Sequence, residues 1–482
     1  MTSVKKNFIY NSIYQVLLIL IPLITTPYLS RVLGSNGIGE YSYYYSIAYY
    51  FGIFILLGLN NYGNRTIAQV RNDSDQLRKT FWSIYFLQLT LGFIVGLLYF
   101  VFCLRLLDSS LVPMIMGIYV ISNIFDINWL FFGLEKFKIT VTRNIIVKII
   151  TTSCIFLFVR DSEDVWIYCL IMVSGMLVSQ IVLWPYALRY IKLYRPSYSE
   201  IIVHFKPNVV LFLTVLATSL FKIMDKIMLG TMTTVQQVGF YESSERVIAI
   251  PIALIVSLGT VMLPRMANML ANNKEQEVES LIAKSVSFAI FLSSSMCFGI
   301  MGIAKCFVPL FYGEGFTECI KLFLILMPSC LFLAFANVIR TQYLLPNKMD
   351  RVYVNSAFIG AGINIVTNLI LIPQLYASGA AIGTLFAEIA VCVYQCASVR
   401  SILPLSDYIK NGLPFIISGT VMFLSLYLFE ITQFSPIVNL IIMIVLGMLL
   451  YFIVLIIEEI VFRLFLKHGF LQNTCLAFLV LK

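Results

Sequence analysis

Long apolar stretches recur along the whole chain and leave little room for any other kind of structure. A bilayer-spanning helix needs roughly 20 consecutive apolar residues, and the sequence contains fourteen such stretches. Hydrophobic residues make up 60% of the 482 positions and charged residues only 12%, which excludes an ordinary soluble protein. The sequence therefore predicts an all-α integral membrane protein with no separate soluble domain.

The connectors between these stretches alternate in basic charge, and the side that carries most of the Lys and Arg includes both termini. Short loops rich in Lys and Arg stay in the cytoplasm, so both ends are predicted to be cytoplasmic. The net charge of +9 has the same origin and does not indicate a nucleic-acid partner. The predicted spans are 8–33, 38–60, 81–104, 112–133, 139–159, 166–188, 207–230, 239–263, 283–304, 321–345, 352–373, 378–400, 413–430 and 438–462.

A faint internal repeat relates the two halves of the chain. In SRVLGSNGIGEYSYYYSI and in DKIMLGTMTTVQQVGFYESSERVI an apolar helix ends at a glycine and restarts, at Gly39–Tyr41 and Gly239–Tyr241. An even number of spans separates the copies, which predicts two six-helix lobes in a parallel pseudo-twofold repeat. The predicted domains are residues 1–200 with spans 1–6, residues 201–405 with spans 7–12, and residues 406–482 with two extra helices and a cytoplasmic tail.

Ionisable side chains inside the predicted spans are costly unless they have a partner, water or a ligand. Lys222, Asp225 and Lys226 lie three and four residues apart in span seven, which places them on one helical face. A locally neutralised pair that joins helices and a cationic wall of a central cavity both fit this triplet. The second lysine leaves the triplet positively charged, which favours the cavity wall.

Other spans carry isolated charges. Lys148 lies in span five, Arg340 in span ten and Glu388 in span twelve. Arg31 lies at the outer end of span one, where two preceding prolines allow the helix to bend. Each of these groups is a candidate for a polar ligand site or for a pairing between helices.

Span two is rich in tyrosine, with six between Tyr41 and Tyr50. Such residues commonly form belts at the membrane interface, and stacking against sugar rings is the functional alternative. No nucleotide-binding loop, metal-ligand cluster or nucleophile arrangement is recognisable. The sequence therefore predicts a transporter rather than an enzyme, with no cofactor and no bound metal.

The motifs resemble a known family. The opening KNFIYNSIYQVLLILIPLITTPYLSRVLGSNGIGEYSYYYSI, the DKIMLG stretch of span seven and the restart at Gly239 are similar to Wzx-type oligosaccharide-lipid flippases. These form the polysaccharide transporter branch of the MOP exporter superfamily, and the resemblance covers essentially the whole chain. It implies a cationic cavity between two lobes in the bacterial cytoplasmic membrane, open to each side in turn. It implies an undecaprenyl-pyrophosphate-linked oligosaccharide, of O-antigen or capsule type, as substrate.

The resemblance also implies roles for the charged residues. In relatives, basic residues hold the pyrophosphate and sugars while the polyprenyl tail stays in membrane lipid. The basic residues placed to do so here are Lys222, Lys226, Arg31, Lys148 and Arg340. Asp225 and Glu388 are candidates for charge balance or for a coupling H+ or Na+ ion. A polymerase and other polysaccharide-assembly proteins are the further partners that such a flippase implies.

Three alternatives stay open on the sequence. The first is a drug or cation antiporter of the same superfamily. Twelve spans would favour this antiporter, whereas fourteen spans favour a transporter of a lipid-linked substrate. A flippase for the peptidoglycan lipid precursor would be a close sibling. A membrane polysaccharide polymerase is disfavoured, because such enzymes generally need a sizeable outer loop with catalytic groups and the outer loops here are short.

Overall fold

The structure, a computed structural model, describes residues 20–105, 111–272, 274–428 and 434–466. Within these ranges all regular elements are helical and no strand occurs. Thirteen of the described helical stretches are long and apolar enough to cross a membrane. The predicted all-α, multi-pass membrane protein is therefore confirmed. The first twelve residues of predicted span 8–33 lie outside the described residues, so the count of fourteen and the cytoplasmic position of both ends stay predictions.

Helices α1 to α11 follow the apolar pattern of the first half, because a helix satisfies its own backbone polar groups where no water is present. They are α1 (residues 20–32), α2 (Gly34–Leu56), α3 (Leu59–Val70), α4 (Ser74–Leu104), α5 (Val112–Ile124), α6 (Asn128–Gly133), α7 (Phe137–Phe158), α8 (Val165–Ile181), α9 (Trp184–Tyr190), α10 (Tyr198–Ile202) and α11 (Phe205–Met232).

The second half continues in the same way. Its helices are α12 (Val235–Ala271), α13 (Glu275–Tyr312), α14 (Glu318–Leu326), α15 (Ser329–Ile339), α16 (Asp350–Leu375), α17 (Ala377–Val399), α18 (Leu405–Leu428) and α19 (Pro436–Leu466). Of these, α12, α13, α16 and α19 extend past both ends of the predicted spans.

Predicted span four is a broken helix. It consists of α5 and α6, and the side chain of Gln88 on α4 lies at the break. The Gln88 amide nitrogen donates to the carbonyl oxygens of Asn123 and Asp126, at 2.8 and 2.9 Å. One side chain thus adds hydrogen bonds to backbone carbonyl oxygens where the regular helical pattern stops.

Predicted span ten is divided as well. Pro328 lies between α14 and α15, where it cannot donate the backbone hydrogen bond that would continue a regular helix. Helix α15 then passes into a π-helical turn, Arg340–Leu344, in which the Leu345 N–H donates to the Arg340 carbonyl oxygen at 2.9 Å. Such turns are frequent at functional sites.

The chain divides into two compact units. The first comprises the described part of Met1–Gly230 together with Thr234–Gly239, and the second comprises Thr231–Thr233 and the described part of Phe240–Lys482. Apolar clusters fill each unit separately. The three predicted domains rest on the sequence repeat, which this division does not test, and they stay a prediction.

Candidate functional site

Helix α11 carries the charged triplet that the sequence singles out. Asp225 is buried, with 2% of its surface exposed, whereas Lys222 is exposed and Lys226 is half-buried. Over four residues the helix thus passes from an exposed ammonium group to a buried carboxyl group. A carboxyl group at this depth needs polar surroundings, and helix α2 supplies some of them.

Part of the tyrosine-rich surface of α2 lies against α11. The Tyr43 ring covers Gly230, where any added side-chain atom would overlap it. Tyr49 and Tyr50 pack in a small apolar cluster with Phe212 of α11. At least these three tyrosines of predicted span two therefore border the helix that carries the charged triplet.

The Tyr50 hydroxyl lies at the polar end of this contact. It is close to the Ser219 side chain and within electrostatic range of Asp225. The Ser219 hydroxyl itself donates to the Leu216 carbonyl oxygen at 2.8 Å. Among the described residues the Tyr50 oxygen has no hydrogen-bond partner of good geometry. Because buried hydroxyls are nearly always paired, Tyr50 is a candidate contact for a polar ligand.

Two further basic candidates belong to the first unit. The Arg31 guanidinium donates to the Pro27 carbonyl oxygen at 2.7 Å, one turn earlier in α1. Lys148 is half-buried in α7. Both positions agree with the predicted spans, and their part in a substrate site stays a prediction.

Arg340 and Glu388 belong to the second unit. Arg340 is the first residue of the π-helical turn. Its guanidinium lies 5.3 Å from the centre of the Tyr353 ring, within the range of a cation–π interaction. Glu388 on α17 is buried, with 8% of its surface exposed. The structure thus distributes the predicted site residues over both units, and their lining of one common cavity stays a prediction.

The first unit also contains a buried polar network that the sequence analysis did not single out. Arg143 on α7 is 7% exposed, and its guanidinium donates to the Ser179 carbonyl oxygen at 2.9 Å and to the Asn128 side-chain oxygen at 3.1 Å. The Asn128 amide in turn donates to the Asp126 carboxylate at 2.6 Å. Asn128 therefore joins a buried cation to a buried anion. The sequence feature that could have indicated this network is the position of Arg143 inside predicted span 139–159.

Gly39 and Gly239, the glycines at which the two copies of the repeat restart, lie against each other within the first unit. A methyl group added to Gly39 would overlap the Val235 carbonyl oxygen and come within 2.7 Å of the Gly239 nitrogen. A methyl group added to Gly239 would overlap the Ser35 carbonyl oxygen in the same way. The first turns of α2 and α12 therefore cross with their backbones in contact, an approach that small residues permit between membrane helices.

The second unit contains an apolar cavity of about 200 Å³ between α13, α18 and α19. Its lining includes the flexible side chains of Met296, Met422 and Met443 and the backbone of Gly299 and Gly447. This cavity can accommodate an apolar group but offers no charge to recognise a headgroup.

The described residues contain no group of three or more His, Cys, Asp or Glu side chains placed to hold a metal ion. The predictions of no cofactor and of a coupling H+ or Na+ ion stay predictions.

Comparison with known proteins identifies the family. Residues 4–270 match the family described as polysaccharide biosynthesis protein. A putative O-antigen transporter from Escherichia coli (strain K12) is 24% identical over 412 residues, which are 83% of this chain and 97% of that protein. The probable low-salt glycan biosynthesis flippase Agl15 from Haloferax volcanii is 24% identical over 245 residues, which are 51% of each chain.

A solved structure supports the fold. The lipid II flippase MurJ, in an inward closed conformation, matches with a TM-score of 0.74 and 16% identity, over 95% of this chain and 99% of that chain. At this identity the likeness concerns the fold alone. The family match covers more than half of the chain, and it confirms the resemblance to Wzx-type flippases. The chain therefore belongs to the polysaccharide biosynthesis protein family.

Proposed function

We propose that the protein is a flippase for an undecaprenyl-pyrophosphate-linked oligosaccharide, an O-antigen- or capsule-type repeat unit. It moves this lipid from the cytoplasmic to the outer leaflet of the bacterial cytoplasmic membrane by alternating access. The relatives named as transporters and flippases support a transporter rather than an enzyme. The observation that carries the proposal is the charged triplet of α11, in which buried Asp225 lies between two lysines beside the tyrosines of α2.

The triplet suits the part of the substrate that is hardest to move. A pyrophosphate cannot cross an apolar layer unless its charge is offset locally. Exposed Lys222 offers a point charge with three donors for phosphate oxygens. The hydroxyl of Tyr50 and the rings around it suit sugars, while the polyprenyl tail stays in membrane lipid. In this proposal Arg31, Lys148 and Arg340 add basic charge along the route.

The acidic residues have a balancing role in this proposal. Asp225 lowers the net charge of the triplet when no pyrophosphate is bound, and it or Glu388 carries the coupling H+ or Na+ ion. Both are buried, so their ionised forms depend on a nearby cation or polar group. Once the substrate reaches the outer leaflet, a polymerase and other assembly proteins act on it.

Deleting the gene tests the function directly. We expect the lipid-linked oligosaccharide to accumulate in the cytoplasmic leaflet, which is measured by its accessibility to a glycosidase in inside-out and right-side-out vesicles. Re-expression of the wild-type chain should restore the distribution. Normal translocation with lost polymerisation would instead indicate a polymerase. Accumulation of the peptidoglycan precursor in its place would indicate the sibling flippase.

Lys222→Gln is expected to lower polymer output about tenfold or more in the deletion strain. A hydrogen bond to a charged group contributes about 1.5–3 kcal/mol, which corresponds to roughly ten- to hundredfold in affinity. Lys222→Arg should retain most of the output, because the charge is kept. The matched control is Lys321→Gln, which removes an exposed lysine that pairs with Glu318 at 3.3 Å. Wild-type output from a normally expressed Lys222→Gln protein would remove this residue from the mechanism.

A further inference from the structure

Predicted span ten contains two fully buried amide side chains whose polar atoms have no partners. Asn337 in α15 is 1% exposed, and Gln342 in the π-helical turn is 0% exposed. Within the described part of the protein, neither the oxygen nor the nitrogen of either side chain has a hydrogen-bond partner. A buried polar group without a partner costs free energy comparable to a lost hydrogen bond. Four such atoms on one short segment therefore need an explanation.

The surrounding structure accommodates these amides and does not pair them. Gly259 of α12 faces Asn337, and a methyl group there would come within 2.5 Å of the Asn337 side-chain oxygen. The hydroxyl of Thr341 lies on the same segment but donates to the Asn337 backbone carbonyl oxygen at 2.7 Å. Gln342 itself lies in the π-helical turn, a distortion that is frequent at functional sites.

A glutamine in the first unit shows how a structural amide is held. Gln88 is 1% exposed, about as deeply buried as Gln342. Its nitrogen donates to the carbonyl oxygens of Asn123 and Asp126, and its oxygen accepts from the Trp129 indole N–H at 3.3 Å. Gln88 therefore stabilises a broken helix through these bonds. Gln342 makes no comparable bonds, so its amide has no structural role that the described residues reveal.

The unpaired atoms define the chemistry of a suitable ligand. Each amide has an acceptor oxygen and a donor nitrogen, and both kinds of atom are unpaired at both residues. A cation would pair only with the oxygens, and a phosphate only with the nitrogens. A hydroxyl group donates and accepts at once, so it satisfies both. We propose that Asn337 and Gln342 bind hydroxyl groups, supplied by the sugars of the transported lipid or by internal water.

The two sources have different consequences. Sugar hydroxyls would reach the amides only in a conformation that exposes span ten to the transport route, and this source rests on the proposed function. Internal water would hydrate the π-helical turn in every conformation, and this source does not depend on transport. An experiment with two separate readouts distinguishes them.

The first readout is thermal melting of the purified full-length protein, with and without lipid-linked oligosaccharide extracted from the deletion strain. Without lipid, Gln342→Leu is expected to melt no lower than wild type, because it removes no hydrogen bond within the protein. The matched control Gln88→Leu should melt several degrees lower, because it removes the hydrogen bonds that the amide donates to the carbonyl oxygens at the break. If sugars are the source, the lipid raises the melting temperature of wild type and Gln88→Leu by more than that of Gln342→Leu, which keeps only the contacts at the other binding residues.

The second readout is radiolytic labelling in ¹⁸O water, which marks side chains next to bound water. If water is the source, the segment formed by α15 and the π-helical turn acquires ¹⁸O rapidly in wild type and about tenfold more slowly in a variant with both Asn337→Leu and Gln342→Leu. The site is overturned if Gln342→Leu shows the full wild-type lipid-induced shift and the double variant is labelled at the wild-type rate. It is also overturned if Gln342→Leu without lipid melts as low as Gln88→Leu. The labelling result stands even if the gene deletion shows that the proposed function is wrong.

Discussion

Gly39→Ala and Gly239→Ala are each expected to lower the melting temperature and to reduce polymer output severely. Each added methyl group overlaps a backbone carbonyl oxygen of the other helix, and backbone cannot move aside as a flexible side chain can. Overpacking of this kind typically costs about 1–3 kcal/mol. The gain in helix propensity from Gly to Ala is at most about 1 kcal/mol. The overlap outweighs the propensity, so α2 and α12 must separate at their first turns.

Two other glycines provide matched controls. Gly96 in α4 and Gly362 in α16 are helical, and an added methyl group would meet nothing within 4 Å at either. Alanine at these positions should be neutral or stabilise the protein by about 0.5–1 kcal/mol. Thermal melting and polymer output in the deletion strain measure all four variants. Equal melting temperatures for Gly39→Ala and Gly96→Ala would show that the crossing does not limit stability.

A double variant tests whether the two glycines act through one contact. Once Gly39→Ala has separated the helices, Gly239→Ala should add little further loss, because the same gap accommodates both methyl groups. The combined loss in unfolding free energy is therefore expected to be smaller than the sum of the single losses. Strict additivity would mean that each methyl group disturbs a different part of the protein.

Arg143→Met is expected to destabilise the first unit by about 1–3 kcal/mol, the typical cost of leaving a buried hydrogen-bonding group without its partner. Methionine keeps much of the side-chain volume but leaves the Asn128 side-chain oxygen and the Ser179 carbonyl oxygen without their donors. It also removes the cation whose field stabilises the buried Asp126 carboxylate. Melting of the purified protein measures the loss. Arg105→Met, at an exposed position after α4, is the control.

The charge on Asp126 provides the complementary test. Asp126→Asn removes the anion, so adding this change to Arg143→Met should recover part of the lost stability. The recovery measures the interaction between the two charges through Asn128, separately from the loss of packing. If Arg143→Met alone melts within about a degree of wild type, the network does not stabilise the first unit.

Some of these features were predictable from local sequence. The length of the apolar runs predicted the membrane helices, because only internally hydrogen-bonded backbone is stable in a bilayer. The same runs made Lys222, Asp225, Arg340 and Glu388 conspicuous, since a charge stands out in an apolar background. The structure places all four in helices or in the π-helical turn, and two of them are buried. Their joint role in binding a substrate stays a prediction.

Apolar run length and residue type thus determine which segments cross the membrane and which charges lie within them. Pairing depends instead on contacts between residues far apart in the chain. Gln88 and Gln342 are the same residue type in similar apolar stretches of sequence. The amide of Gln88 forms hydrogen bonds because it packs against a broken helix, whereas the helices around the π-helical turn leave the amide of Gln342 without a partner. In the sequence Gly39 and Gly239, 200 residues apart, mark two separate helix starts, and only the folded chain brings them against each other. Propensity and hydropathy act over a few residues, so they carry no information about such partners.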